Sequence, residues 1–477
     1  MRVRGLGGES AQSHGRECAA RDEAAKPPRP RPAHLCAVTT HRHPPTGGDA
    51  GVLSVTIAAG VTPRSESPPI LITGTTGFLG LEVMARFLQR SGRHIIALVR
   101  ARDDAHASER IRTAMGMAFG DPNAHPGRVT AVAADIERPD LGLDSGRLDV
   151  LAEQVDRILH AAASVSFDLG LAESRGINVR GTQHMLDFAD RAHRRGGLER
   201  FTYVSTAYVA GTHRGEFSEY DYDLGQGFRN PYERSKWESE GNVRAAASRL
   251  PVQIARPSII VGEQASGWTS AFNVLYGPIR ALSTGAYRAL PLNRRAPLDV
   301  VPIDYVADAL FELISEGPNE TFHLVAGDRA TTTGHVARMT AERFHQPRPR
   351  IVTPAIYRAL YPLLRRAAHG RQRRALEHTQ VFIPYLNIGV RFQNQITRAR
   401  LEPAGISLQP LDDYFARLLD FAVAADWGKH PFPNPRGAPL AASGQRPGPD
   451  PADRHRDIAD GATLGTTEPI AARSAER

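Results

Sequence analysis

The stretch ILITGTTGFLG, residues 70–80, sets a short apolar run directly before three glycines, Gly74, Gly77 and Gly80, spaced three apart. The residues that follow, through Arg90, read as a helix. Between a strand and a helix each glycine has a physical task. Gly74 lets the chain turn sharply. Gly77 removes a side chain so that backbone amides can approach a pyrophosphate. Gly80 allows the helix to pack closely. The helix start then presents free N–H groups and the positive end of its dipole to an anion.

Outward from this unit the pattern alternates. Strand-like runs at residues 69–73, 94–100, 128–136, 155–163, 200–211 and 252–262 are separated by helical stretches. Such alternation predicts βαβ units and an α/β fold with a Rossmann-like, doubly wound parallel sheet, whose ligands bind at the carboxyl ends of the strands. After residue 262 the pattern is less regular, with a helix near 300–314, a strand at 322–327 and a closing amphipathic helix at 411–425. The expected organisation is an N-terminal extension over 1–67, a dinucleotide-binding domain over 68–262, a smaller substrate-binding C-terminal region over 263–428 and a tail over 429–477. The two ends are rich in Pro, Gly and Arg without a hydrophobic period and read as disordered, and translation that truly starts near Val52 fits the same pattern.

The second strand ends at Arg100, with Arg102 and Arg110 close behind. An acidic residue at this place grips a ribose 2′-hydroxyl, whereas an arginine suits a 2′-phosphate, so NADPH is favoured over NADH. The competing reading leaves Arg100 solvated and gives the ribose to Asp103 or Asp104.

Of 59 basic residues only three are lysines: Lys26, Lys236 and Lys429. One of them closes the run NPYERSK, residues 230–236. Asn230 suits a helix N-cap, Pro231 the first helical position and Glu233 the capping-box position. Tyr232 and Lys236 then share one face of the first two turns. A free phenol titrates near pH ~10. A nearby ammonium is expected to lower that value while also reaching a ribose hydroxyl. Upstream, YVSTAYVAG (203–211) offers two hydroxyls at a strand end to hold a carbonyl oxygen: Thr206 first, Ser205 second. Both residue types also occur in strands simply because they favour them.

The net charge of +8 has no recognisable nucleic-acid motif behind it, so phosphorylated cofactors, coenzyme A, an acidic carrier or an anionic membrane are the expected partners and nucleic acid is not. Two cysteines, Cys18 and Cys36, support neither a disulfide framework nor a zinc site, and no metal is expected. There is no signal-peptide h-region and no run of 18 apolar residues, which points to a cytoplasmic protein.

Taken together, TGTTGFLG (73–80), LVRA (98–101) with Arg110, HAAASVSF (160–167), NVRGT (178–182), YVSTAYVAG, YERSK (232–236) and RPSIIVGE (256–263) resemble, in order, the extended branch of the short-chain dehydrogenase/reductase superfamily. Within it the sequence is most similar to fatty acyl-CoA reductases and thioester-reductase domains, the male sterility, NAD-binding family. Residues 381–406 resemble more loosely the C-terminal part of acyl-CoA reductases, although Gln393 stands where relatives often carry an acid. The resemblance implies that Thr206, Tyr232 and Lys236 are catalytic. It implies that Thr73, Gly74, Thr76, Gly77, Phe78, Leu79 and Gly80 line the pyrophosphate, and that Arg100 and Arg110 face the 2′-phosphate. Asp135 and Ile136 would flank the adenine, Ala161, Ala162 and Ala163 would run along the cofactor, and Pro257, Ser258 and Ile259 would sit beside the nicotinamide. His160 reads as structural.

The implied reaction is hydride transfer from NADPH to an acyl thioester, on coenzyme A or an acyl carrier protein, giving an aldehyde or alcohol. A dehydrogenase or epimerase acting on a sterol or nucleotide-sugar hydroxyl is the alternative, since the same trio serves it, and a cofactor-binding module without turnover is a third. Residues 343–374 hold nine arginines and no acid. They could meet a coenzyme A phosphate, a carrier or a membrane surface, or simply be a solvated face.

Overall fold

A computed structural model of the chain describes residues 67–272, 275–285, 289–367, 369–370, 385–430 and 432–434, all within one compact unit that begins at Val61. Cys18 and Cys36, the N-terminal extension apart from Ser67, and nearly all of the tail lie outside the described residues.

The centre is a seven-stranded parallel sheet. Its strands are β1 (Ile70–Thr73), β2 (Ile95–Val99), β3 (Val129–Ala133), β4 (Arg157–His160), β5 (Arg200–Val204), β7 (Val252–Pro257) and β12 (Thr321–Leu324). β6 (Gly215–Phe217) lies outside it. The order is β12-β7-β5-β4-β1-β2-β3. The direction of winding reverses between β1 and β4, which opens a crevice at their carboxyl ends.

Helices cover both faces. On one lie α1 (Phe78–Arg90), α2 (Asp104–Phe119) and, later in the chain, α8 (Ile303–Glu316). On the other lie α3 (Ser145–Gln154), α5 (Gly181–Gly196) and α6 (Pro231–Ala246), with a short α4 (Leu171–Ser174) leading through a π-helical turn into α5. Alternation along β1 shows why both faces are needed: Ile70 and Ile72 enter one core and Leu71 the other, and all three are fully buried.

Two expectations need adjusting. The strand read over 200–211 stops at Val204 and becomes a 3₁₀ turn, Ala207–Ala210, because Thr206 caps that turn. The boundary drawn at residue 262 is also crossed, since α8 and β12 return to complete the central layers. Arg86 of α1 pairs with Asp308 of α8 at 2.7 Å, and Phe87 meets Phe311 edge-on at 4.9 Å.

The remaining elements are short. They are β8 (Ile259–Val261), α7 (Tyr276–Ser283), β9 (Ala289–Pro291), β10 (Pro297–Leu298), β11 (Val300–Pro302), β13 (Thr331–Thr332), α9 (Thr333–Arg343), β14 (Arg350–Val352), α10 (Pro354–Ala367), β15 (Val390–Phe392), α11 (Gln395–Leu401) and α12 (Phe415–Ala424). Their strands pair two by two: β8 with β11, β6 with β15, β9 with β14, and β10 with β13. The start of the expected tail is held in place. The buried Trp268 indole donates to the Phe432 carbonyl at 2.9 Å, and the Asn434 amide donates to Met117 O at 2.7 Å. An indole N–H withdrawn from water requires such an acceptor.

Candidate active site

The glycine turn lies at the carboxyl end of β1. Gly74 has φ +80°, and a Cβ there would lie 2.9 Å from Ala161 C and Ala162 N, so the turn requires glycine on two counts. A Cβ on Gly80 would fall 2.6 Å from the Gly74 carbonyl carbon. The third glycine therefore lets the helix close onto the turn itself rather than onto the sheet. Gly77 is the N-cap of α1 and provides no side-chain cap, which leaves the amides at Phe78 and Leu79 open. Beside them the buried Thr75 hydroxyl has no partner among the described residues. Open amides, a steric cradle and an orphaned hydroxyl fit a pyrophosphate. Thr75 was missed by the sequence reading, which named its neighbours. Thr73 is fully buried, and its hydroxyl joins His160 Nδ1 at 2.9 Å and the Ala162 amide at 3.1 Å, tying β1 to β4. Burial, then the Lys236 charge, holds the His160 pKa down to about 3, so this ring is neutral.

Arg100, Arg110 and the exposed Thr76 converge beside the turn. Arg110 donates to Thr76 Oγ1 at 3.2 Å and to the Arg100 carbonyl, while Arg100 pairs with Glu137 at 3.1 Å. Burial and the neighbouring Arg100 both work against the Arg110 cation. Asp103 and Asp104 are engaged elsewhere. Asp103 caps α2 through the His106 amide, and Asp104 accepts from the Ala133 amide and from Arg147. Asp135 accepts from the Glu137 amide, and Ile136 packs under Gly181. Ala161, Ala162 and Ala163 leave β4 half-exposed along the crevice. Pro257 ends β7 with its carbonyl 3.4 Å from Thr206 Oγ1, while Ser258 and Ile259 carry the chain into β8.

Thr206 and Ser205 separate cleanly. The Ser205 hydroxyl donates to Glu240 at 2.6 Å, inside the protein. Thr206 Oγ1 accepts from the Tyr208 amide at 3.2 Å and interacts with the Tyr232 phenol. α6 begins as expected: Asn230 Oδ1 accepts from the Glu233 amide at 2.9 Å, with Pro231 in the first turn. Glu233 reaches back one residue further than a capping box, to the Arg229 amide at 2.9 Å.

The electrostatics of the pair differ from expectation. Lys236 is 3% exposed, donates to the Val204 carbonyl at 2.7 Å and sits 4.3 Å over the Tyr203 ring. Burial lowers its pKa to about 7, against the pull of Glu240. The Tyr232 phenol is raised, not lowered, to about 12. Burial dominates, opposed by Thr206 and reinforced by Glu233. The ammonium is turned to the β5 backbone and spends its charge there. A phenol held protonated at neutral pH is suited to giving a proton away.

Sequence reading also missed what lies beneath α6. Glu240 and Arg256 are fully buried and paired at 2.6 Å. Arg256 meets His323 Nε2 at 3.0 Å, and His323 Nδ1 meets the Gln393 carbonyl at 2.6 Å. Burial would raise the Glu240 pKa, but Arg256, Arg244 and Ser205 outweigh it and hold it down at about 2. The i+4 spacing of Glu240 from Lys236 was the available signal. Above the phenol, Phe167 lies 5.6 Å from the Tyr232 ring and stacks on Tyr385 at 5.1 Å, and Tyr385 accepts from Asn230 Nδ2 at 2.7 Å. Among the described residues no group of His, Cys, Asp and Glu could hold a metal.

The chain is similar to several known proteins. The chain is 32% identical over 255 residues to an isonitrile lipopeptide synthase of Streptomyces coeruleorubidus, covering 53% of this chain and 17% of that protein. It is 28% identical over 275 residues to fatty acyl-CoA reductase 1 of Xenopus laevis, covering 50% and 53%. It thus spans less than two thirds of either relative. Among solved structures, the terminal R domain from the myxalamid PKS-NRPS biosynthetic pathway superposes with a TM-score of 0.65 at 25% identity, over 78% of this chain and 94% of that one. The family model described as male sterility protein matches residues 72–310, half of the chain, and to that NAD-binding family of extended short-chain dehydrogenases/reductases the chain belongs.

Proposed function

We propose that the protein is an NADPH-dependent reductase of acyl thioesters. The observation that carries this is the contact of Thr206, just past the end of β5, with the protonated Tyr232 phenol, on the same carboxyl edge of the parallel sheet as the glycine turn. Relatives named as an acyl-CoA reductase and a lipopeptide synthase support a thioester over a sterol or sugar hydroxyl.

Gly74, Gly77, Phe78, Leu79 and Thr75 would hold the pyrophosphate, Lys236 a ribose hydroxyl, and Ala161 to Ala163 the flank of the dinucleotide. Arg100, Arg110 and Thr76 would take a 2′-phosphate, drawing Arg100 from Glu137 and relieving the crowded Arg110 cation. Asp103 and Asp104, the two acids read as candidates for a 2′-hydroxyl, are already bonded elsewhere. When bound, the cofactor supplies the hydride. Thr206 and Tyr232 would hold the thioester oxygen, each donor being worth about 3 kcal/mol as charge develops there. Tyr232 gives its proton to that oxygen. The hemithioacetal hydroxyl then returns its proton to the Tyr232 phenolate as the C–S bond breaks, the departing thiolate takes a proton from water, and thiol and aldehyde leave.

We infer peripheral contact with a membrane through α10. It exposes Ile356, Leu360 and Leu363 along one side, with Arg365 and Arg366 at its end. No helix among the described residues is long and apolar enough to cross a membrane. The deciding assay follows NADPH consumption with long-chain acyl-CoA and with carrier-bound acyl groups. Consumption with either supports the reading, and none with both ends it.

A further inference from the structure

The C-terminal region holds a second recess, apart from the crevice that faces the glycine turn. A cleft of about 840 Å³ is walled by Arg294 and Arg295 from the turn after β9, Arg338 from α9, and Arg348 and Arg350 at the start of β14. Among the described residues only Arg348 has a carboxylate partner, Glu342 at 2.8 Å, and both members of that pair are exposed. Arg338 is aligned by His335 Nδ1 at 2.6 Å, and His335 in turn is bonded to Asp412 at 2.7 Å. Five arginines line one recess, and their charges repel each other unless an anion joins them.

The wall is built rather than loose. The Thr333 amide donates to Ala296 O at 3.1 Å, the Gly334 amide to Arg294 O at 3.2 Å, and the Thr333 hydroxyl to Asn293 O at 2.6 Å. A Cβ on Gly334 would lie 2.8 Å from the Arg294 carbonyl, so this close approach needs glycine. Ile351, paired in register with Leu290, adds an apolar patch to the arginine wall.

The cleft is also joined to the phenol by a short relay of contacts. Tyr232 touches Phe167, Phe167 stacks on Tyr385, and two residues after it Asn387 Nδ2 donates to Pro291 O at 3.3 Å, three residues before Arg294.

We propose that this cleft holds the 3′-phosphoadenosine diphosphate end of coenzyme A, with the pantetheine arm running past Tyr385 to Tyr232. The inference rests on the thioester reading above. Three phosphate groups on one nucleotide match several arginine forks, which bind phosphate bidentately. The volume falls within the range of small-ligand pockets, about 300–1,000 Å³, and concavity suits a nucleotide better than the convex face of a carrier protein.

The test uses one acyl chain on three thiols, coenzyme A, 3′-dephospho-coenzyme A and pantetheine, with the full-length protein and an Arg338→Gln/Arg350→Gln variant. Both positions are exposed, so folding is not at stake. The unaltered protein should prefer the coenzyme A thioester over the pantetheine thioester by about tenfold or more in kcat/KM, the dephospho form falling between them. The variant should lose that preference through KM while reducing the pantetheine thioester as before. Equal use of the coenzyme A and pantetheine thioesters by the unaltered protein, or an equal loss on both in the variant, overturns the proposal. So does a carrier-bound thioester that outcompetes coenzyme A and depends on the same arginines. If no thioester consumes NADPH, the thioester reading fails by itself. Calorimetry of adenosine 3′,5′-bisphosphate with the NADPH-saturated protein then still decides the cleft: binding lost in the variant upholds it, and binding retained or never seen refutes it.

Discussion

Beneath α6 and around the C-terminal cleft the protein uses arginine in opposite ways. Arg256 is withdrawn from water and bonded on all sides, to Glu240, to His323 and against the Phe217 ring. Arg294, Arg295 and Arg350 are exposed and have no acid to meet among the described residues. A buried ion pair adds little net stability over an apolar substitute, but it allows one arrangement only. Here that arrangement sends Ser205 inward and leaves Thr206 facing Tyr232. An exposed, unpaired arginine fixes nothing by itself and keeps its bonding capacity for a ligand. The interior set serves geometry, and the exterior set is the one proposed to serve recognition.

Substitutions separate the two. Tyr232→Phe should reduce thioester reduction by about 10²–10⁴-fold with NADPH affinity unchanged, as expected when a positioned proton donor is removed. A parent-like rate, read by stopped-flow, would mean that the proton comes from elsewhere. Glu240→Gln leaves Arg256 buried without its counter-charge and should cost about 3–5 kcal/mol of stability in chemical denaturation. A change below ~1 kcal/mol would show that the interior arginine is no more committed than the surface ones.

The third test varies pH. Lys236 is lowered from the ordinary lysine value to about 7, so it is an ammonium below that pH and an amine above it. If the ammonium holds the ribose, kcat/KM for NADPH falls as pH rises through about 7. A flat profile across neutrality removes that role from Lys236. Arg110→Ala should reduce the preference for NADPH over NADH by about tenfold, the value of one charge-assisted hydrogen bond to phosphate. An unchanged ratio would return the choice of cofactor to Arg100 alone. At the small end, Asp420→Asn breaks an exposed pair with Arg343 and should move stability by less than ~1 kcal/mol in chemical denaturation, a larger loss showing a surface pair worth as much as a buried one.

What was legible in the sequence was local. The glycine turn works within seven residues and the Tyr232–Lys236 helix start within the same span, so spacing alone carries each. The Asn230 cap and Pro231 were readable for the same reason. The sign of the Tyr232 shift was not, because it depends on how Lys236 is aimed and on burial contributed by distant elements. The short strands β6, β8 to β11 and β13 to β15 have two or three residues each, too few to show a period of two. Tyr385 sits in a stretch with no pattern of its own, and its place over Phe167 exists only once the chain has folded. Likewise the five cleft arginines come from three separated segments, only one of them inside the arginine-rich run at 343–374.

The pairing of β6 with β15 bears on how the molecule is made. It joins the segment just after Thr206 to residues 390–392, while Asn230, the cap of α6, is held by Tyr385, 155 residues further along. Contacts of such long sequence separation form late, because the loop they close must first be ordered. As the polypeptide leaves the ribosome, the glycine turn can take shape early. The start of α6 is secured only after the distal segment has been synthesised. On the function proposed above, binding competence thus precedes turnover competence in the life of each new chain.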